Sequence, residues 1–95
     1  MKPALQSFWS RNPDSERALQ AWYQVATHNQ MGSFAEVKAV FGSVDQVGDR
    51  LVFNVRGHAY RLIFGVEYRR GILFIKFIGT HTEYDRIDPK TVELK

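Results

Sequence analysis

Apolar and polar positions change period about halfway along the chain. In residues 3–11, Leu5, Phe8 and Trp9 recur at spacings of three and four, and Pro3 suits a first turn. This predicts a short helix. Asn12-Pro13-Asp14 stops it and opens a second helix over about 13–28. There Asn12 is placed to cap, and Asp14 and Glu16 favour the positive end of the helix dipole. Ala18, Leu19, Trp22, Val25 and Ala26 form its apolar stripe. Ser33-Phe34-Ala35-Glu36 is a capping-box sequence, predicting a third helix to about Phe41 with Phe34, Val37 and Phe41 (or Val40) inward and Gly42 as its stop.

From residue 51 the period falls to two. Leu51–Arg56, Ala59–Val66 and Ile72–Ile78 read as three strands, with turns at Gly57-His58 and Tyr68–Gly71 and a loop over 43–49. A two-residue turn sets Arg56 opposite Ala59 and Asn54 opposite Arg61. One face then carries Leu51, Phe53, Val55, Tyr60, Leu62, Phe64, Val66, Leu73, Ile75 and Phe77. The other carries Val52, Asn54, Arg56, Ala59, Arg61, Ile63, Gly65, Ile72, Phe74, Lys76 and Ile78. A one-residue slip would drive Arg56, Arg61 and Lys76 into the core, where charge is costly, so the alternation fixes the register. The expected class is α+β: N-terminal helices packed on one face of a small antiparallel sheet, in one domain spanning residues 1–95.

Charge sharpens this picture. Residues 1–49 hold four cations against five acids, whereas residues 50–81 hold six cations against Glu67 alone. The positive excess therefore sits on the sheet, which suits a polyanionic partner. The absence of cysteine excludes disulfides and thiolate metal sites. His28, His58 and His81 lack metal-ligand spacing, so neither a metal nor a cofactor is expected. There is no glycine-rich phosphate loop, no nucleophile elbow and no 18-residue apolar run. No membrane association is expected, and the N-terminus lacks the apolar core of a signal peptide, which points to the cytoplasm.

The last predicted strand delivers His81, Tyr84 and nearby acids at its end. Imidazole titrates near neutrality, which suits proton transfer. Tyr84 offers a hydroxyl and a stacking surface, although it also suits a packed aromatic at a turn. Arg61 and Lys76 are candidates to hold a scissile phosphate and neutralise developing charge. Arg56 and Asn54 are candidate neighbouring RNA contacts, with Arg69 and Arg70 in a loop as backbone grips.

With these residues in view, nearly the whole chain resembles a HigB-type toxin. This is a branch of the RelE-like mRNA interferases of bacterial toxin–antitoxin pairs. The resemblance rests on Asn12-Pro13-Asp14 with Ala21-Trp22-Tyr23, on Ser33–Lys38, on Val52–Val55 with Tyr60-Arg61-Leu62, and most specifically on Phe77–Asp85. It implies metal-independent mRNA cleavage on the translating ribosome. Because RNA carries its own nucleophile, the expected route is attack of a 2′-hydroxyl on the adjacent phosphate. It also implies a helix-turn-helix antitoxin as partner and contact with operator DNA only through that complex. Arg61 falls where the family's strand arginine grips phosphate, and His81 and Tyr84 where its C-terminal catalytic groups lie; Lys76 is a further carry-over. Relatives usually open with a short strand, whereas this sequence opens Met1-Lys2-Pro3. The competing readings are a non-catalytic RNA- or ribosome-binding module that blocks translation, and a structural protein whose apolar groove holds a partner.

Overall fold

The computed structural model of the protein describes residues 2–94. Helix α1 (Lys2–Arg11) leads through a 3-10 turn (Pro13–Ser15) into α2 (Glu16–Thr27), and α3 (Phe34–Val40) follows. The chain then forms β1 (Asp45–Val47), β2 (Arg50–Val55), β3 (Tyr60–Glu67) and β4 (Ile72–Thr80), and a single-turn helix α4 (His81–Tyr84). The strands make one antiparallel sheet in the order β1-β2-β3-β4. The expected α+β class is therefore present, with four strands rather than three. The extra strand lies in the stretch expected to be a loop, where Asp45 pairs with Val52 and Val47 with Arg50.

The helices close as their local chemistry dictates, with one exception. Ser33 Oγ accepts the Glu36 amide at 3.2 Å, as its capping-box sequence predicts. Asn12 does not cap: its side-chain amide donates back to the Phe8 carbonyl at the end of α1. The core joins Leu5 and Phe8 of α1, Leu19, Trp22 and Ala26 of α2 and Val37 of α3 to Leu51, Val55, Tyr60, Leu62, Phe64 and Ile75 of the sheet. Each such large side chain contributes about 1.5–3 kcal/mol on burial, so this sheet face holds the helices in place. Val25, expected in the stripe of α2, is 37% exposed.

Asn54 lies opposite Arg61, as the turn predicts. One feature overturns part of the expected face assignment. The β3–β4 register shifts between Ile63 and Phe64, so Ile63 pairs with Phe77 and Phe64 with Ile75. Lys76 is the extra residue of a β-bulge. Beyond it the two faces of β4 exchange: Ile78 packs on the core, while Phe77 stands on the open face against Tyr84. A bulge adds one residue to one strand only, and that suffices to invert the alternation.

The open face is also partly covered. Residues after α4 run back across it in successive turns. Arg50 donates to the Val92 carbonyl and to Glu93, Lys76 donates to Glu93, and Gly48 lies beside the Lys90 stem. Arg50 itself is only 7% exposed.

Candidate functional site

The site forms where β4 hands the chain to α4. Gly79 pairs with Arg61 and Thr80 with Tyr60. Thr80 then opens α4 through a complete capping box: its hydroxyl accepts the Glu83 amide at 3.1 Å, and Glu83 Oε1 accepts the Thr80 amide at 2.8 Å. This sets His81 and Tyr84 on a fixed helical turn beside the first residues of β3. Gly79 fits closely here: a Cβ would come within 2.7 Å of the Phe77 ring and 2.8 Å of the Glu83 carboxylate, so both side chains would have to shift.

Tyr84 lies under the Arg61 guanidinium, 4.7 Å from ring centroid to Cζ, and its ring meets Phe77 edge-on at 6.4 Å. A guanidinium stacked on an aromatic face holds its donors in one plane while remaining fully charged. His81 lies edge-on to His58 with ring centroids 6.1 Å apart. Among the described residues, four buried side-chain polar atoms have no hydrogen-bond partner: Trp22 Nε1 in the core, and Asn54 Oδ1, Arg61 Nε and His81 Nε2. The last three belong to neighbouring positions of this one region. Leaving a buried donor or acceptor unsatisfied costs about 1–3 kcal/mol, so three at adjoining positions concentrate unmet hydrogen-bonding capacity at this end of the sheet.

The other expected site residues lie elsewhere. Lys76 shares the open face with Arg61 but extends across Gly65 and ion-pairs with Glu93 at 2.9 Å, forming a second cluster with Arg50. Arg56 does not project with Arg61 and Lys76, as strict alternation predicts. Instead it adopts a left-handed φ of 53° at the turn and reaches Asp14 on the helical layer at 3.4 Å. Asp14 also accepts the Tyr60 hydroxyl at 2.6 Å, and this hydrogen bond, ahead of burial, raises the tyrosine pKa. Arg69 and Arg70 occupy the β3–β4 turn at the opposite end of β3, with Arg70 held by Glu67 at 2.8 Å.

Sequence reasoning passed over three residues, His58, Arg50 and Glu93, and one element, α4. His58 could have been found by extending the β3–β4 register past Tyr60 and Thr80. Helix α4 could have been found from Thr80-His81-Thr82-Glu83, a second capping-box sequence. Arg50 and Glu93 gave no such signal, because their meeting depends on a tail without hydrophobic periodicity. Among the described residues, no group of three or more His, Asp or Glu side chains is placed to hold a metal ion, and no helix is long and apolar enough to cross a membrane.

No curated protein matches this chain in sequence. A family model does match, over residues 15–87, which takes in α2, α3, the whole sheet and α4. That stretch contains every residue of the Asn54–Arg61–His81–Tyr84 group and leaves out α1 and the end of the tail. The chain therefore belongs to the HigB_toxin family, the RelE-like toxic component of a toxin–antitoxin system, and its partner is an antitoxin.

Proposed function

We propose that this toxin is a metal-independent endoribonuclease that cuts mRNA on the translating ribosome, in the cytoplasm. The observation that carries this reading is the Arg61–Tyr84 contact together with unpartnered Asn54 Oδ1, Arg61 Nε and His81 Nε2 at adjoining positions of one sheet end. RNA supplies its own nucleophile. The 2′-hydroxyl attacks the adjacent phosphorus, the bond from phosphorus to the 5′-oxygen breaks, and the products are a 2′,3′-cyclic phosphate and a free 5′-hydroxyl. One proton leaves the 2′-oxygen and one reaches the departing 5′-oxygen. His81 and Tyr84 carry these transfers. Arg61, fixed on its aromatic platform, binds the phosphate and stabilises the charge that grows on its oxygens. Asn54 orients the nucleotide from the neighbouring strand. Lys76, Arg56, Arg69 and Arg70 grip more distant phosphates. The antitoxin carries a helix-turn-helix domain, and the toxin meets operator DNA only within their complex.

The test is induction of the toxin followed by mapping of mRNA 5′ ends. New ends inside coding regions are expected with the wild type. Arg61→Ala should lower cleavage about a hundred- to a thousandfold, and His81→Ala about a hundred- to ten-thousandfold. Circular dichroism should show both variants folded. Growth arrest without new 5′ ends would replace cleavage with simple occlusion of RNA or ribosome. Full toxicity of both folded variants would remove these residues from the mechanism.

A further inference from the structure

The open face is built in three cross-strand rows. Asn54, Arg61 and Gly79 form the first, and Val52, Ile63 and Phe77 the second. Arg50 and Gly65 begin the third. Gly65 has no side chain, so Lys76 passes over it from the bulge, its Cε 3.6 Å from where a Cβ would stand. Lys76 thereby converges with Arg50. The two cations share one anion, Glu93: Oε2 takes the Arg50 Nη2 donor, and Oε1 takes Lys76 Nζ at 2.9 Å. Two carboxylate oxygens divided between a guanidinium and an ammonium occupy the positions that the two non-bridging oxygens of a phosphodiester would take. Arg61 and Gly65 are four residues apart on β3, so this cluster lies about 13 Å from the first row, within reach of a few nucleotides of one strand.

The tail that brings Glu93 here lies on the surface of the open face. None of residues 85–94 is buried, and Leu94 is 47% exposed. The Glu93 side chain is 59% exposed, while the Arg50 side chain is 9% exposed. The Glu93 carboxylate can therefore be exchanged without opening the helix-facing core. Arg50 also holds the Val92 carbonyl and shares the open face with buried Val52 and Ile63, so the exchange needs another anion to complete its pairing. The family match ends at residue 87, so the basic pair lies within the matched stretch and its anion outside it.

We propose that Arg50 and Lys76 form a second RNA-phosphate subsite, and that Glu93 of the C-terminal tail occupies it in competition with the RNA backbone. The tail is thus a displaceable strap that weakens RNA binding until a strand long enough to reach both clusters takes its place. This rests on the proposed RNA-cleaving function of the neighbouring site.

The experiment measures binding of the full-length protein to a fluorescent 2′-O-methyl RNA oligonucleotide, which cannot be cleaved, by anisotropy over a range of salt. Glu93→Gln should tighten binding roughly fivefold, as expected for losing one exposed competing ion pair. Its salt dependence should steepen by about 0.7 for each further phosphate that the freed cations neutralise. Glu16→Gln, an equal charge change on α2, controls for net charge and should alter binding by less than about twofold. In a Lys76→Gln background the gain from Glu93→Gln should disappear. If Glu93→Gln matches the Glu16→Gln control, or binds more weakly, the strap is refuted while the RNA-cleaving reading stands. If the wild type and Glu93→Gln both fail to bind this RNA, and the wild type makes no new mRNA ends, both fall together.

Discussion

Replacing Gly79 by alanine tests whether the strand-to-helix junction positions the catalytic groups. The new Cβ would lie 2.7 Å from the tip of the Phe77 ring, 2.8 Å from Glu83 Oε1 and 3.2 Å from Glu83 Cβ. The first two atoms are ends of side chains, so the backbone need not open. The Phe77 ring can swing on its half-buried face. Glu83 cannot move freely, because the same oxygen accepts the Thr80 amide at 2.8 Å. Yielding breaks that arm of the capping box, and loss of a cap costs about 1 kcal/mol. Overpacking costs typically 1–3 kcal/mol, with the lower end apt where side-chain ends can give way. The expected total is about 2 kcal/mol. For a domain of this size, that lowers the melting temperature by roughly 8–16 °C. A domain with at least about 5 kcal/mol of stability keeps 3 or more, so about 99% or more remains folded. A fall in cleavage of tenfold or more would therefore arise locally, from displacement of His81 and Tyr84 relative to Arg61. Thermal melts and single-turnover cleavage of a defined mRNA on ribosomes measure the two effects separately. An alanine variant with unchanged melting temperature and rate would show that the Gly79 contact does not hold the site.

Two further outcomes follow from titrating groups. Tyr60→Phe removes a hydrogen bond to a carboxylate, but Asp14 is partly exposed and keeps Arg56, so the expected loss by urea denaturation is about 1–2 kcal/mol. Because the folded pKa of Tyr60 is raised above 10.0, its contribution is complete below that value and lost as pH rises through the raised one. Wild type should therefore show an alkaline fall in stability that Tyr60→Phe lacks, and equal alkaline curves would contradict the pairing. Glu93 moves the other way: hydrogen bonding from Lys76, opposed by desolvation and aided by Arg50, holds its carboxyl below the ordinary 4.5. The strap should be intact above 4.5 and released as pH falls through the lowered value. Amide chemical shifts of Val92 and Glu93 report this, and their insensitivity to acid would contradict an ionic tether.

How much of this was legible depended on whether a residue's environment was local. The Ser33 cap needs only its own turn, and Asn54 meets Arg61 across one short hairpin, so spacing sufficed for both. The exchange of Phe77 and Ile78 could not be read in the same way. Ile72, Phe74 and Ile78 are apolar on the face expected to be open, while Leu73, Ile75 and Phe77 are apolar on the other, so β4 carries little polar contrast to reveal where the period breaks. Lys76 is its single charge, and it marks the bulge only once the partner strand is known. The same bulge has a functional consequence. It aims Lys76 across Gly65 towards Arg50, while leaving Arg61 opposite Gly79 and next to α4. The six cations and one acid that make residues 50–81 look like a single basic surface are thus divided. Arg61 stands with a histidine and a tyrosine, Lys76 with Arg50 and the tail carboxylate, Arg56 with the helical layer, and Arg69 and Arg70 at the far turn with Glu67. Net charge draws RNA to the sheet as a whole. What separates the proposed chemistry from the proposed grip is what lies beside each cation: among the described residues Arg61 and Arg69 make no ion pair, and of the six only Arg61 lies over an aromatic ring with a buried donor that lacks a partner.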